Sequence, residues 1–279
     1  MDEQNLDILE RIHGAYYQLT ATEKRVADYV LAQYAQVQFM SITQLAEECG
    51  TAEATISRFC RSLKLKGFNA FKIELARHSA PRVQEHSTNT ILGRIRESGQ
   101  LACDAVQQTM ELVDPAQVEK AVTLIEAAPR VLCVGSGGSM LMAQECAHLF
   151  STVTGKFLAI TDAHTQMSAA ATMGAGEIII LYSYSGATTS GIQILEYARS
   201  QGIPAILVTR YKKSPAAKLA DVVLLCGSNE SPFQLGSTPA KIAQLLITDV
   251  VFQEYCRRNQ AACQENVQKV ASALSDMHM

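Results

Sequence analysis

The eight cysteines include no C-x-x-C pair, and no histidine stands at metal-ligand spacing from them, which argues against a structural metal centre. No apolar run approaches the roughly 18 residues a membrane helix needs, and the acidic start MDEQNLDILE lacks the form of a signal peptide. Charge of one sign is also scarce. Lys and Arg number 24 against 27 Asp and Glu, a formal net charge of −3, so any nucleic-acid binding has to rest on a local patch. These absences predict a cytosolic chain whose thiols are reduced. Cys133, within RVLCVG, shows the usual setting, an apolar run in which a thiol behaves as a small hydrophobe.

What is present is written in two periods. With 48% hydrophobic and 18% charged residues over 279 positions, the chain is long enough for two ordinary soluble domains. From residue 2 to about 77 apolar residues recur at helical spacing: Leu6, Leu9, Ile12; Val26, Ala27, Tyr29, Val30; Ile42, Leu45, Ala46; Ile56, Phe59, Cys60, Leu63. Thr20 with Glu23 and Ser41 with Gln44 are helix starts of capping-box form. Residues 78–90 (HSAPRVQEHSTNT) are polar and aperiodic, as a linker reads. Helical stretches follow at 91–113 and 116–127, the second opened by Asp114 and Pro115. From Arg130 short apolar runs alternate with helical segments: VLCV at 131–134, FLAI at 157–160, IIILY at 178–182, AILV at 205–208 and VVLL at 222–225. Runs this apolar suit strands covered on both faces, hence an α/β unit with a five-stranded parallel sheet. The domains are therefore expected at 1–77 and 113–279, with a linker and connecting helix over 78–112.

Residues 41–63, SITQLAEECGTAEATISRFCRSL, have the form of a helix-turn-helix: a first helix ending at Gly50, a short turn with Thr51, and a second helix with Ile56, Phe59, Cys60 and Leu63 inward. The opposite face of that helix offers Thr55, Ser57, Arg58 and Arg61, with Lys64, Lys66 and Lys72 following. Over residues 54–77 six cations (Arg58, Arg61, Lys64, Lys66, Lys72, Arg77) meet one anion, Glu74. The positive charge thus coincides with the second helix, whose N-terminal residues Ala54, Thr55 and Ser57 are placed nearest the bases of a DNA major groove. The plain alternative is an amphipathic pair with solvated arginines.

Two loops of the second half are alike. VLCV runs into GSGGSMLMA and IIILY runs into SYSGATTSG, glycines and hydroxyls each time followed by a helix. Such a loop is either a capped strand-to-helix turn or an anion cradle at a helix N-terminus. A dinucleotide site is the rival for the first loop. It lacks the third glycine of G-x-G-x-x-G, where Met140 stands, and FLAI is followed by Thr161, although Asp162 lies close to the ribose-binding position. Ser214 and Pro215 read as a helix cap, Arg210, Lys212 and Lys213 as either ligand contacts or a solvated loop, and NESPFQLGST, from Asn229 to Thr238, as a possible wall of the pocket.

G-x-G-x-S (Gly135, Gly137, Ser139) and S-x-S-G-x-T (Ser183, Ser185, Gly186, Thr188) inside a five-strand α/β unit resemble the sugar isomerase (SIS) domain. Joined to the N-terminal helix-turn-helix, the chain resembles the RpiR family of bacterial transcriptional regulators over nearly its whole length. The resemblance implies a flavodoxin-like αβα sandwich in which Ser139, Ser183, Ser185 and Thr188, with Gly137 and Gly186, hold the phosphate of a phosphosugar. It also implies DNA contacts from Thr55, Ser57, Arg58, Arg61, Lys64 and Lys66.

An isomerase needs a base near neutral pKa. Glu145, His148, His164, Glu196 and Glu230 are available, but no spacing singles one out. The reading is therefore a regulator, not an enzyme, with no cofactor. Its phosphosugar shifts the affinity of a homodimer or homotetramer for a palindromic DNA operator. Val267, Val270, Ala271 and Leu274 mark a C-terminal helix that packs on the body or on a partner copy.

Overall fold

The computed structural model describes residues 7–79, 90–228 and 237–275. They divide into two units, and the division falls after Gln100, inside one long helix. The first unit is helical: α1 (Ile8–Ala15), α2 (Ala21–Val37), α3 (Ile42–Glu48), α4 (Glu53–Ser62) and α5 (Phe68–Ser79). Both expected capping boxes form, Thr20 with Glu23 and Ser41 with Gln44. The helices close on Ile8, Ile12, Val26, Val30, Leu45, Ile56, Phe59, Phe71 and Leu75. α5 runs past the expected domain limit at residue 77, because the His78 ring bonds Asp7 just ahead of α1 and sits edge-on to Tyr34, 5.0 Å away. The rest of the expected linker, residues 80–89, lies outside the described residues.

α3 and α4 are joined by a Schellman turn. Gly50 takes a φ of +57°, Thr51 N–H donates to Ala46 O at 2.8 Å and Gly50 N–H to Glu47 O at 2.9 Å. α4 ends in the same motif, with Leu65 N–H on Cys60 O at 3.0 Å, but the left-handed residue is Lys64 with φ +59°. A side chain in that conformation is uncommon and costs about 1 kcal/mol.

The crossing helix is α6 (Ile91–Leu112). After it come α7 (Pro115–Ala127), β1 (Val131–Gly135), α8 (Gly138–Ser151), β2 (Phe157–Ala159), α9 (Ala163–Ala171), β3 (Ile178–Tyr182), α10 (Thr189–Ser200), β4 (Ala205–Thr209), β5 (Val222–Leu225), α11 (Thr238–Arg258) and α12 (Gln260–Ser275). The five strands are parallel in the order β2-β1-β3-β4-β5, the flavodoxin-like arrangement. Alternate residues of β1 face opposite layers. Val131 and Cys133 pack with residues of α7, α8 and α11, whereas Leu132 and Val134 pack with Ala170 of α9 and with Ile194, Leu195 and Ala198 of α10. That two-sided burial explains why the central strands read as unbroken apolar runs. All eight cysteines are free thiols, and no described helix is long and apolar enough to cross a membrane.

Glu23 ties α2 to the helix-turn-helix. Its carboxylate accepts from Thr20 N–H at 2.9 Å and from Ser62 Oγ at 3.1 Å. Burial raises its pKa, but bonds from Thr20 and Ser62 and the charge of Arg58 outweigh burial and hold it below its ordinary 4.5. A depressed carboxyl contributes stability above its unfolded pKa and loses it as pH falls through the folded one. Glu23→Gln should therefore lower unfolding free energy at pH 7 by about 1 kcal/mol, and its deficit should close below roughly pH 4. Urea melts across pH check this, a deficit independent of pH being the contrary result.

Candidate functional site

In the first unit the basic surface lies on α4 and just beyond it. Ala54, Arg58, Arg61, Lys64 and Lys66 are exposed and Ser57 is half-buried. Thr55 corrects the sequence reading: it is only 5% exposed and faces the core. It stands four residues before Phe59, which places both on one helical stripe, and that spacing was the available signal. Its hydroxyl accepts from Arg58 Nη2 at 3.1 Å, so Thr55 orients a surface arginine instead of presenting itself. α4 has Ala52 at its N-cap and no side-chain cap, which leaves N–H groups of its first turn free of any capping side chain. Thr43 Oγ1 donates to Glu53 at 2.7 Å and fastens α3 to that same turn.

In the second unit the two hydroxyl loops meet. Gly135 pairs with Tyr182 in the β1–β3 register, so both loops leave the sheet at one level, where strand order reverses. There the helices that follow, α8 and α10, pack on opposite faces. Ser136 Oγ and Ser190 Oγ lie 3.1 Å apart across the gap. A crevice at such a switch point, beyond the carboxyl ends of the strands, is where open α/β sheets bind ligands. Neither helix has a side-chain cap: α8 begins after Gly137, with φ +56° and ψ −130°, and α10 after Thr188. Thr188 is a cap residue by type whose hydroxyl does no capping. Two helix N-termini thus carry partial positive charge into one crevice.

The expected hydroxyls occupy different settings there. Ser183, directly after β3, is 4% exposed, and its Oγ has no hydrogen-bond partner among the described residues. A buried hydroxyl in that state is uncommon in a native fold. Ser185 Oγ accepts from Ala187 N–H at 3.2 Å and shapes its own turn. Ser139 Oγ lies 3.3 and 3.4 Å from the carboxamide of Gln244 on α11. Gly135 and Gly186 are required sterically: a Cβ on the first would lie 2.9 Å from Ser139 O, and on the second, with φ +59°, 2.1 Å from Ser214 Oγ.

Other candidates resolve as structural. Ser214 is buried, accepts from Ala217 N–H at 3.3 Å and packs beneath Gly186. Arg210 Nε donates to Ser228 O at 3.2 Å, while Lys212 and Lys213 are exposed. Asp162, the residue that kept the dinucleotide alternative open, caps α9 by accepting from Thr165 N–H at 2.8 Å. His148, His164 and Glu196 are exposed and Glu145 half-buried. Glu230 and the stretch 229–236 lie outside the described residues. No group of three His, Cys, Asp or Glu suited to a metal occurs among the described residues.

Three residues of the site were missed. Gln166, 1% exposed, donates to Gly135 O at 2.9 Å and Ile160 O at 2.7 Å, and so holds the ends of β1 and β2 together. Gln244 and Thr248 occupy one turn of α11: Thr248 Oγ1 donates to Gln244 O at 3.0 Å and lies 2.7 Å from Tyr182 OH. Polar residues on otherwise apolar helix faces were their only signal.

Family models match the chain twice, "Helix-turn-helix domain, rpiR family" over residues 6–82 and "SIS domain" over residues 124–253. An uncharacterized HTH-type transcriptional regulator of Caldanaerobacter subterraneus subsp. tengcongensis is 30% identical over 251 residues, 88% of this chain and 89% of that protein. One from Thermotoga maritima is 28% identical over 98% of this chain and 99% of its own length. Among solved structures, the Vibrio vulnificus NanR protein complexed with ManNAc-6P superposes with a TM-score of 0.88 at 26% identity, covering 98% of this chain and 100% of that one.

The packing of Gly186 on Ser214 sets a test. Gly186→Ala combines a left-handed alanine, about 1 kcal/mol, with an overpacking clash of ~1–3 kcal/mol. It should lower the melting temperature by several degrees, and Ser214→Gly in the same chain should recover the clash component. An unchanged melting temperature for Gly186→Ala would contradict the turn geometry.

Proposed function

The chain belongs to the RpiR family of helix-turn-helix transcriptional regulators with a SIS domain, and on that premise we propose that a phosphorylated sugar at the β1–β3 switch point sets its affinity for a DNA operator. The observation that carries this reading is the buried, unpartnered Ser183 hydroxyl beside two helix N-termini without side-chain caps. A phosphate supplies acceptor oxygens and negative charge to such a place. Ser139, Ser183, Ser185 and Thr188 are the hydroxyls assigned to it, with Gly137 and Gly186 letting the backbone come close. The Vibrio relative's ManNAc-6P supports this class of effector.

On the DNA side, Ser57, Arg58 and Arg61 are assigned to the major groove and its phosphates, with Lys64 and Lys66 at the rim and Thr55 behind Arg58. The acting form is a two-fold homodimer on a palindromic operator, since one symmetry then serves both molecules. Exposed Val267 and Leu274 of α12, at 47% and 45%, give such a dimer apolar surface to cover. The ligand acts by binding the two quaternary arrangements unequally, the only way occupancy moves DNA affinity. Such a regulator works in the cytoplasm, requires no catalytic base and turns nothing over.

A thermal-shift screen pairing each phosphorylated sugar with its unphosphorylated form tests the effector. At 100 times its dissociation constant the effector should add ~2.7 kcal/mol of stability, and Ser183→Ala with Ser185→Ala should remove that gain while leaving DNA binding intact. A gain retained by the double variant, or conversion of the sugar seen by NMR, overturns the assignment. For the DNA face, Arg58→Ala with Arg61→Ala should weaken operator binding and reduce the slope of log K against log salt by about 2. An unchanged slope in anisotropy titrations removes α4 from the interface.

A further inference from the structure

One turn of α11 fastens both hydroxyl loops. Thr248 bonds Tyr182, the residue before Ser183, and Gln244 reaches Ser139 at the start of α8. The Gln244 contact is unlike its neighbour. Its side chain is 1% exposed, and a carboxamide carries two N–H donors and an oxygen with two lone pairs. Among the described residues its only side-chain contacts are with one hydroxyl, Ser139 Oγ, at 3.3 Å from Nε2 and 3.4 Å from Oε1. Both lengths exceed the usual 2.7–3.2 Å range. One hydroxyl cannot satisfy the amide's donors and acceptor together with good geometry, whereas buried polar groups are ordinarily satisfied. Tyr182 and Thr248, at 2.7 Å, show that the same helical turn builds a well-formed bond where one is structural.

We propose that Gln244 is a ligand-contacting residue of the phosphosugar site, donating an amide N–H to the phosphate that Ser139 also holds. This rests on the reading of the switch point given above and adds to the hydroxyl set a neutral donor from α11, outside both loops. A neutral amide suits the position. It donates to the anion without the desolvation cost of a buried cation, and the helix N-termini already supply positive potential.

Three proteins test it by calorimetric titration with the phosphosugar found in the thermal screen: wild type, Gln244→Leu and Gln244→Glu. Gln244→Leu should bind about ten-fold more weakly while its melting temperature without ligand stays level or rises, since an under-used buried amide has gone. A residue serving only packing would do the reverse. In Gln244→Glu the ionised side chain opposes the phosphate, so affinity relative to wild type at the same pH should be lowest at pH 8 and recover toward pH 5 as the carboxyl takes up the proton it needs to donate. That profile is read within one folded protein, so it decides the matter even if Gln244→Leu does not fold. Affinities equal to wild type across pH overturn the role of Gln244 and leave the site standing. Absence of binding by wild type itself overturns the site and the role together.

Discussion

The reversal of strand order between β1 and β3 is the constraint on which the second unit depends. Strands to either side of that point send their helices to opposite faces of the sheet, so the loops after β1 and β3 part from each other and leave a crevice at the carboxyl edge. The contacts described here secure that crevice from below and behind. Gln166 binds the ends of β1 and β2, Ser214 supports the Gly186 turn, and Thr248 with Gln244 ties α11 to both loops. The hydroxyls at its mouth are presented on fixed backbone, which lowers the ordering cost of binding.

Helix capping separates structure from function along the chain. Asp7, Thr20, Ser41, Asp114, Asp162 and Ser237 each cap a helix with a side-chain oxygen. α4, α8 and α10 have no such cap, and these three face the DNA and the phosphosugar in the account given above. Capping removes unsatisfied N–H groups from a helix start at a gain of about 1 kcal/mol. Its absence at α8 and α10, beside a loop rich in hydroxyls, leaves donors free for an external anion. Lys64 belongs to the same pattern. A left-handed position that glycine would fill without strain is held by a cation at the end of the basic helix.

Local periodicity made the elements legible. The helical spacing of Ile56, Phe59, Cys60 and Leu63 located α4, Gly50 marked the end of α3, and the five apolar runs gave the five strands within a residue or two at either end. The glycine and hydroxyl loops pointed to the crevice because their chemistry is written in consecutive residues. What was not legible depends on partners far away in sequence. Thr55 looked like a groove residue by type, yet its i,i+4 relation to Phe59 turned it inward. Gln244 lies 105 residues from Ser139, and nothing near it in the chain distinguishes it from a polar residue on a helix face. Asp162 stood at a spacing that suits a ribose ligand, and the fold used it as a helix cap. Strand order likewise follows from packing two layers of helices, which single runs do not encode.

The central claim is that the switch-point crevice receives a phosphate on the Ser183 hydroxyl. A crystal structure of the chain with its phosphosugar tests this most directly, through the position of the phosphorus atom. The account predicts a phosphate oxygen within hydrogen-bonding distance of Ser183 Oγ, between the first turns of α8 and α10, with the sugar extending away from the sheet. A phosphate bound elsewhere, with Ser183 Oγ still without a partner, would contradict it.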